Sequence, residues 1–154
     1  MAITYLGLGS NLGNLEDNLH NAIVEISERV GTIMSQSALF HSAPWGFDSD
    51  NKFLNQVIKV ETTLDPYALL ERTKEIEIHL GRKKKSIDEG YSDRIIDIDI
   101  ILYDQLILND PILTIPHPLM QQRDFVLLPL QEIASEVLYP LNNVRIGELI
   151  IQEH

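Results

Sequence analysis

The sequence predicts an α+β fold of the ferredoxin-like, split-βαβ kind: an antiparallel sheet with two helices packed on one face, plus a C-terminal extension. Three observations carry this. Two stretches repeat apolar residues at helical spacing between capping residues. Four others alternate, or run apolar, over strand lengths. Their order is strand, helix, strand, strand, helix, strand.

AITYLGLG (2–9) reads as a strand that ends in glycine. NLEDNLHNAIVEISERVG (14–31) sets Leu15, Leu19, Ile23, Ile26 and Val30 at helical spacing, with Asn14 as N-cap and Gly31 as the C′ stop. TIMSQSALFHS (32–42) is expected to be one strand, leading into the loop APWGFDSDNK, rich in Pro, Gly and Asp. FLNQVIKVETTL (53–64) is a long strand. DPYALLERTKEIEIHLG (65–81) is a helix with Asp65 at N-cap, Pro66 at N1 and Gly81 at C′. DRIIDIDIILY (93–103) is the fourth strand, and residues 105–134 mix short extended pieces with a final helix. Repeats, low-complexity tracts and linkers are missing, so a single domain over 1–154 is expected.

Composition narrows the function. Apolar residues make up 44%, and no apolar run approaches the roughly 20 residues of a membrane span. The N-terminal MAITYLGLGS lacks a basic region and leads straight into a strand, so a signal peptide is not expected. The lack of cysteine excludes disulfides and thiolate metal sites and fits a cytoplasmic protein. A net charge of −11 argues against nucleic-acid and anionic-membrane partners. Six of the twelve Lys and Arg nevertheless lie between residues 82 and 123, four of them as the run Arg82, Lys83, Lys84, Lys85. Such a cluster suits a small anionic ligand, or is a solvated charged loop.

GLGSNLG has glycines at 7, 9 and 13, which is not the GxGxxG of a dinucleotide fold, and it reads as a tight strand-to-helix turn. Asp97 and Asp99 are harder to dismiss. Strand side chains alternate, so both carboxylates share one face while Ile96, Ile98 and Ile100 take the other. Like charges so placed need positive partners, either Arg and Lys side chains or divalent cations. An oxygen-rich, cysteine-free setting favours Mg²⁺ over Zn²⁺. Arg82 and Arg94 flank the loop leading to this strand, and Arg123 follows TIPHPLMQQR. Carboxylates with clustered guanidinium groups point to an anionic substrate and to phosphoryl transfer, where positioning and charge neutralisation do most of the catalysis. His117, between two prolines, is a rigidly held donor candidate. Trp45, Phe53 and Asn55 could form a slot for a flat, hydrogen-bonding heterocycle, or the aromatics could simply pack the sheet.

GLGSNLGN, FLNQVIKVET, LGRK, RIIDIDIILY and IPHPLMQQRDFVLLPLQEIA, in this order and spacing, resemble the 6-hydroxymethyl-7,8-dihydropterin pyrophosphokinases of folate biosynthesis over nearly the whole chain. The resemblance implies transfer of diphosphate from ATP to the pterin hydroxymethyl group, leaving AMP, with two Mg²⁺ ions. It implies Asp97 and Asp99 as metal ligands and Arg82 and Arg94 as stabilisers of the transferring diphosphate. It also implies ATP contacts from His117 and Arg123, with Glu77, Lys84, Ile100 and Thr114 as further nucleotide-side residues. Ser42, Ala43, Trp45, Phe53, Asn55 and Phe125 fall where the family lines its pterin slot, Phe125 to stack and Asn55 to hydrogen-bond the ring edge. The loop KKKSIDEGYSDR departs from the family's Trp-Gly-Pro-Arg ending, which makes Tyr91 the replacement stacking candidate. Pro118 stands where an aromatic is common and Lys74 where glutamine is. Loop 82–93 is expected to close over ATP. The expected partners are small molecules only, with the chain acting as a monomer. The rivals are a Mg²⁺-dependent phosphohydrolase or nuclease, and a non-catalytic ligand-binding module in which the aspartates and Arg94 form a structural ion-pair set.

Overall fold

In the computed structural model, residues 1–43, 52–81 and 94–152 are described. Trp45, Arg82, Lys84 and Tyr91, and the expected closure of loop 82–93, lie outside them. The chain order is β1 (Ala2–Ser10), α1 (Leu15–Arg29), β2 (Gly31–Gln36), β3 (Phe40–Ser42), β4 (Phe53–Thr62), α2 (Pro66–His79), β5 (Asp97–Tyr103), β6 (Leu108–Asn109), β7 (Thr114–Ile115) and α3 (Asp124–Ala134), then a 3-10 turn at Ile146–Glu148. The main sheet runs β2-β4-β1-β5, every pairing is antiparallel, and β3 also pairs with β4.

Local chemistry starts the helices where the sequence predicts. Asn14 accepts from the Asp17 N–H at 3.1 Å and Asp65 from the Ala68 N–H at 2.8 Å, each satisfying an otherwise orphaned amide of the first turn. Gly81 takes a positive φ of 142° past the end of α2, where a Cβ would lie 2.5 Å from Ile95. Alternation along the strands then divides the core. Leu6, Leu8, Leu54, Ile58, Val60, Ile98 and Ile100 pack under α1 and α2 through Leu19, Ala22, Ile26, Leu69 and Ile76. On the opposite face Tyr5, Val57 and Ile101 meet Val126, Leu127, Leu130 and Ala134 of α3. The two-helix face is therefore as expected, and the C-terminal extension covers half of the other.

Three local expectations are corrected. The strand expected over 32–42 is broken at residues 37–39. There the Ser37 hydroxyl accepts from the Val57 N–H at 2.9 Å, and the Ala38 N–H donates to the Glu132 carboxylate at 3.1 Å, replacing regular pairing. Gly31 does follow the C-cap Val30 at C′, but without the left-handed φ of a glycine stop: it begins β2, where a Cβ would meet the Glu61 carbonyl oxygen at 2.0 Å. The fourth strand begins at Asp97.

Candidate active site

The sheet face carrying α3 is covered only in part, and the uncovered part is built around glycine. Gly7 and Gly9 do not form the strand-to-helix turn expected of them. They lie inside β1, with Gly7 between Val57 and Asp99, and Gly9 between Asn55 and Asp97. A Cβ on Gly9 would stand 3.2 Å from Asn55 Oδ1 and 3.6 Å from the Phe53 ring. Two missing side chains in the central strand thus leave a trough across the sheet. The turn itself is left to residues 11–14, with Gly13 at φ 81°.

The trough is part of an open cleft whose empty space, its solvent side included, is about 580 Å³. Of the residues singled out from sequence, the cleft brings together Ala43, Phe53, Asn55, Arg94, Asp97, Asp99, Arg123 and Phe125. One end is aromatic and amide-lined, the other charged.

At the amide end, Asn55 Nδ2 donates to the Phe40 carbonyl at 3.0 Å and to Ser42 Oγ at 2.8 Å. A carbonyl oxygen can only accept, so this pairing fixes which way the amide points. Asn55 is buried, and both its N–H groups are engaged, which leaves Oδ1 on the β1 side. Ser42 thus stands behind Asn55 as its support.

At the charged end the two aspartates differ. Arg94 Nη1 donates to Asp97 Oδ1 at 3.0 Å. Asp99 has a looser neighbour, Arg123 Nη1 at 4.0 Å. Burial, then the negative charge of Asp97, push the Asp99 carboxyl up to about 8 despite the opposing pull of Arg123. About a third of its side chain (35%) still opens to the cleft, so burial here means the bulk of protein behind the carboxylate rather than full enclosure. Arg123, at the N-cap of α3 and 6% exposed, also lies 5.7 Å from the Phe125 ring centroid, a cation–π distance.

His117 sits beside β5, its N–H donating to the Ile101 carbonyl at 2.9 Å. Its Nδ1 accepts from the Leu119 N–H at 3.1 Å. Burial, then the Arg123 charge, hold its pKa down at about 4, so the ring is neutral at pH 7 and its proton sits on Nε2. Other nucleotide-side candidates lie elsewhere. Glu77 is buried on α2, where Oε2 accepts from the Ile98 N–H at 2.7 Å and closes the outer edge of β5. Ile100 packs in the core under α1 and α2, and Thr114 lies in β7, paired with Asn109. Sequence reasoning missed Gly7 and Gly9 as cleft residues. It also missed Asn11, buried at the end of β1 and bonded twice to Arg94.

Two carboxylates on one face, one of them under-neutralised, fit a divalent cation. Among the described residues no three His, Asp or Glu side chains gather as a complete metal cage. An ion such as Mg²⁺ takes one or two carboxylates and completes its shell with water and phosphate oxygens. Among the described residues no helix is long and apolar enough to cross a membrane.

Comparison with known proteins gives a consistent picture. The family model described as 7,8-dihydro-6-hydroxymethylpterin-pyrophosphokinase (HPPK) matches residues 5–135. A 2-amino-4-hydroxy-6-hydroxymethyldihydropteridine pyrophosphokinase from Porphyromonas gingivalis is 44% identical over 135 residues, which is 87% of this chain and 92% of that protein. One from Aquifex aeolicus is 39% identical over 141 residues, 92% of this chain and 86% of its own. Among solved structures, a triple mutant of Plasmodium falciparum HPPK-DHPS with SDX-DHP superposes with a TM-score of 0.77 at 19% identity. That likeness shows the fold; it covers 96% of this chain and 43% of the longer Plasmodium chain.

Proposed function

The chain belongs to the 7,8-dihydro-6-hydroxymethylpterin-pyrophosphokinase family, and on that premise we propose how its cleft carries the reaction. It is a pyrophosphokinase of folate biosynthesis, using ATP as co-substrate and transferring diphosphate to the hydroxymethyl group of 6-hydroxymethyl-7,8-dihydropterin, with AMP left behind. The observation that carries the assignment of roles is the polarity of the cleft. An aromatic, amide-lined slot abuts a pair of same-face aspartates flanked by two arginines.

The pterin ring lies in the slot between Phe53 and Phe125, where stacking rewards a flat heterocycle. Asn55 Oδ1 accepts from a ring N–H, because both amide hydrogens of Asn55 are held by Phe40 and Ser42. The hydroxymethyl group then points toward the charged end, where the β-phosphorus of ATP must arrive for attack. Arg94 and Arg123 stabilise charge on the transferring diphosphate, and His117 offers its Nε2–H to a phosphate oxygen. Arg82 and Lys84 add cationic contacts to the same phosphates, while Trp45 and Tyr91 complete the pterin enclosure.

Asp97 and Asp99 would hold Mg²⁺, two ions in all, and the metal would supply neutralisation of the phosphate charge. The raised pKa of Asp99 supports this, since a carboxyl that resists ionisation through burial and the nearby Asp97 charge is one that a cation would relieve. The chain acts as a single-domain monomer in the cytoplasm, a reading supported by one main sheet with a core on each face and by the lack of cysteine.

Product analysis by phosphorus NMR, with ATP, Mg²⁺ and the pterin, tests the reaction. AMP and a pterin diphosphate ester should form together, and neither should form without the pterin. ADP or free phosphate as the main product would overturn the reading. Asp97→Ala should lose turnover by about three orders of magnitude or more, and a near-wild-type rate would remove its metal-ligand role.

A further inference from the structure

We infer that Asn11 is a positioning residue for the pyrophosphoryl transfer, acting through Arg94. The inference rests on the role proposed above for Arg94. The described β1–β5 ladder ends at the pair Gly9↔Asp97, and just beyond it Asn11 meets Arg94, three residues before Asp97. The Asn11 backbone N–H donates to the Arg94 carbonyl at 3.0 Å, and its side-chain Oδ1 accepts from the Arg94 N–H at 2.7 Å. A single residue thus clasps both backbone polar groups of Arg94, the amide oxygen standing in for a strand carbonyl.

The clasp is well fixed at its other end. Asn11 is 4% exposed, and the turn behind it is tied by Asn18 Nδ2, which donates to Ser10 Oγ at 3.0 Å and to the Leu12 carbonyl at 2.7 Å. With the backbone of Arg94 pinned, its guanidinium reaches Asp97 Oδ1 at 3.0 Å and faces the cleft. Asn11 is not itself among the residues lining the cleft; what it fixes is where Arg94 starts. Removal of Oδ1 strands a partly buried N–H, and the chain must shift to find it another acceptor. Misplacement of a charged group by about 1 Å is enough to lower turnover about 100-fold.

The test is steady-state AMP formation, with kcat and KM measured separately for ATP and the pterin. Asn11→Leu keeps the volume and deletes the acceptor; Asn11→Asp keeps an oxygen in the same place. Asn11→Leu should lower kcat about 100-fold with each KM within about threefold of wild type, and Asn11→Asp should stay within about tenfold on kcat. In the Arg94→Ala background, Asn11→Leu should add almost nothing, because both changes remove the same effect. A wild-type kcat for Asn11→Leu, an equal loss in Asn11→Asp, or a full additional loss on Arg94→Ala would each overturn the inference. Should Asn11→Leu not fold, Asn11→Ala carries the same test, and failure of both to fold would make Asn11 structural only, also overturning it. Wild-type chain that forms no AMP would instead overturn the activity, whereas an active wild type with indifferent Asn11 variants leaves the activity standing.

Discussion

Asp99→Asn should stabilise the metal-free protein at high pH while abolishing catalysis. The folded-state pKa of Asp99 is raised to about 8 from an ordinary 3.8, first by burial and next by Asp97. For a carboxyl raised in the folded state, the proton is held more tightly folded than unfolded. Stability is therefore unaffected below about pH 4 and declines as pH rises through about 8. Complete conversion of that shift would overstate the effect, because a third of the side chain is hydrated and Arg123 stands nearby. After that discount, about 1–2 kcal/mol of destabilisation is expected at about pH 8.5 relative to about pH 4.

Asn in place of Asp99 removes the titration and keeps the shape. Urea unfolding in EDTA should give variant and wild type similar midpoints at about pH 4, with the variant ahead by about 1–2 kcal/mol at about pH 8.5. Mg²⁺ at ten times its dissociation constant should then restore about 1.4 kcal/mol to the wild type and much less to the variant. A variant no more stable than wild type at the higher pH would refute the burial argument. Equal stabilisation of both proteins by Mg²⁺ would refute the metal assignment while leaving the burial argument intact.

Four other outcomes are expected. ATP should bind at least about tenfold more tightly with Mg²⁺ than with EDTA, as read by calorimetry, and equal affinity would contradict the metal-bridged reading. The His117 ring should titrate by NMR well below its ordinary 6.5, at about 4; its depressed folded pKa contributes stability above about pH 6.5 that is lost as pH falls through about 4. A midpoint near 6.5 would show the ring to be hydrated. Gly9→Ala puts a methyl 3.2 Å from Asn55 Oδ1 and should raise the pterin KM about tenfold with little change in the KM for ATP; the reverse pattern would place the pterin elsewhere. Gly31→Ala, whose Cβ would meet the Glu61 carbonyl oxygen at 2.0 Å, should lower stability by about 2–3 kcal/mol without altering kcat of the folded enzyme, and a neutral effect would mean that the strand shifts freely.

What was legible in the sequence is what neighbours along the chain determine. The caps Asn14, Asp65 and Gly81 act within a turn or so of themselves, and strand alternation alone puts Asp97 beside Asp99. What escaped depends on partners far away in sequence. The break after β2 depends on Glu132, 94 residues from Ala38, and Gly31 is required by a carbonyl of another strand. Gly7 and Gly9 look like turn glycines because nothing local reveals that Asn55 and Asp97 lie on either side of Gly9. Glu77 could be assigned to the nucleotide side from resemblance only; its hydrogen bond to the Ile98 N–H is a matter of sheet edges, which the sequence does not display. Asn11 carried no signal at all, since an asparagine after a strand is ordinary turn chemistry.

The asymmetry between the two aspartates accounts for the charge logic of the site. Among the described residues the cleft sets two acidic groups, Asp97 and Asp99, against two basic ones, Arg94 and Arg123, and Glu77 adds a negative charge from α2 behind β5. On a chain of net charge −11, that balance gives a polyphosphate no excess of positive charge among the described cleft residues. A purely structural ion-pair set would have balanced itself, each carboxylate with its guanidinium, as Asp97 and Arg94 nearly do at 3.0 Å. Asp99 departs from that balance: its arginine is 4.0 Å away and its carboxyl resists ionisation. On the proposed reading, a dication held with ATP would make the local charge positive and relieve Asp99, so nucleotide and metal should favour each other's binding. If the metal sits as proposed, the cleft would favour phosphate already bearing it, and Arg94, held at its backbone by Asn11 and paired with Asp97, would turn to the phosphoryl group once the metal took over Asp97.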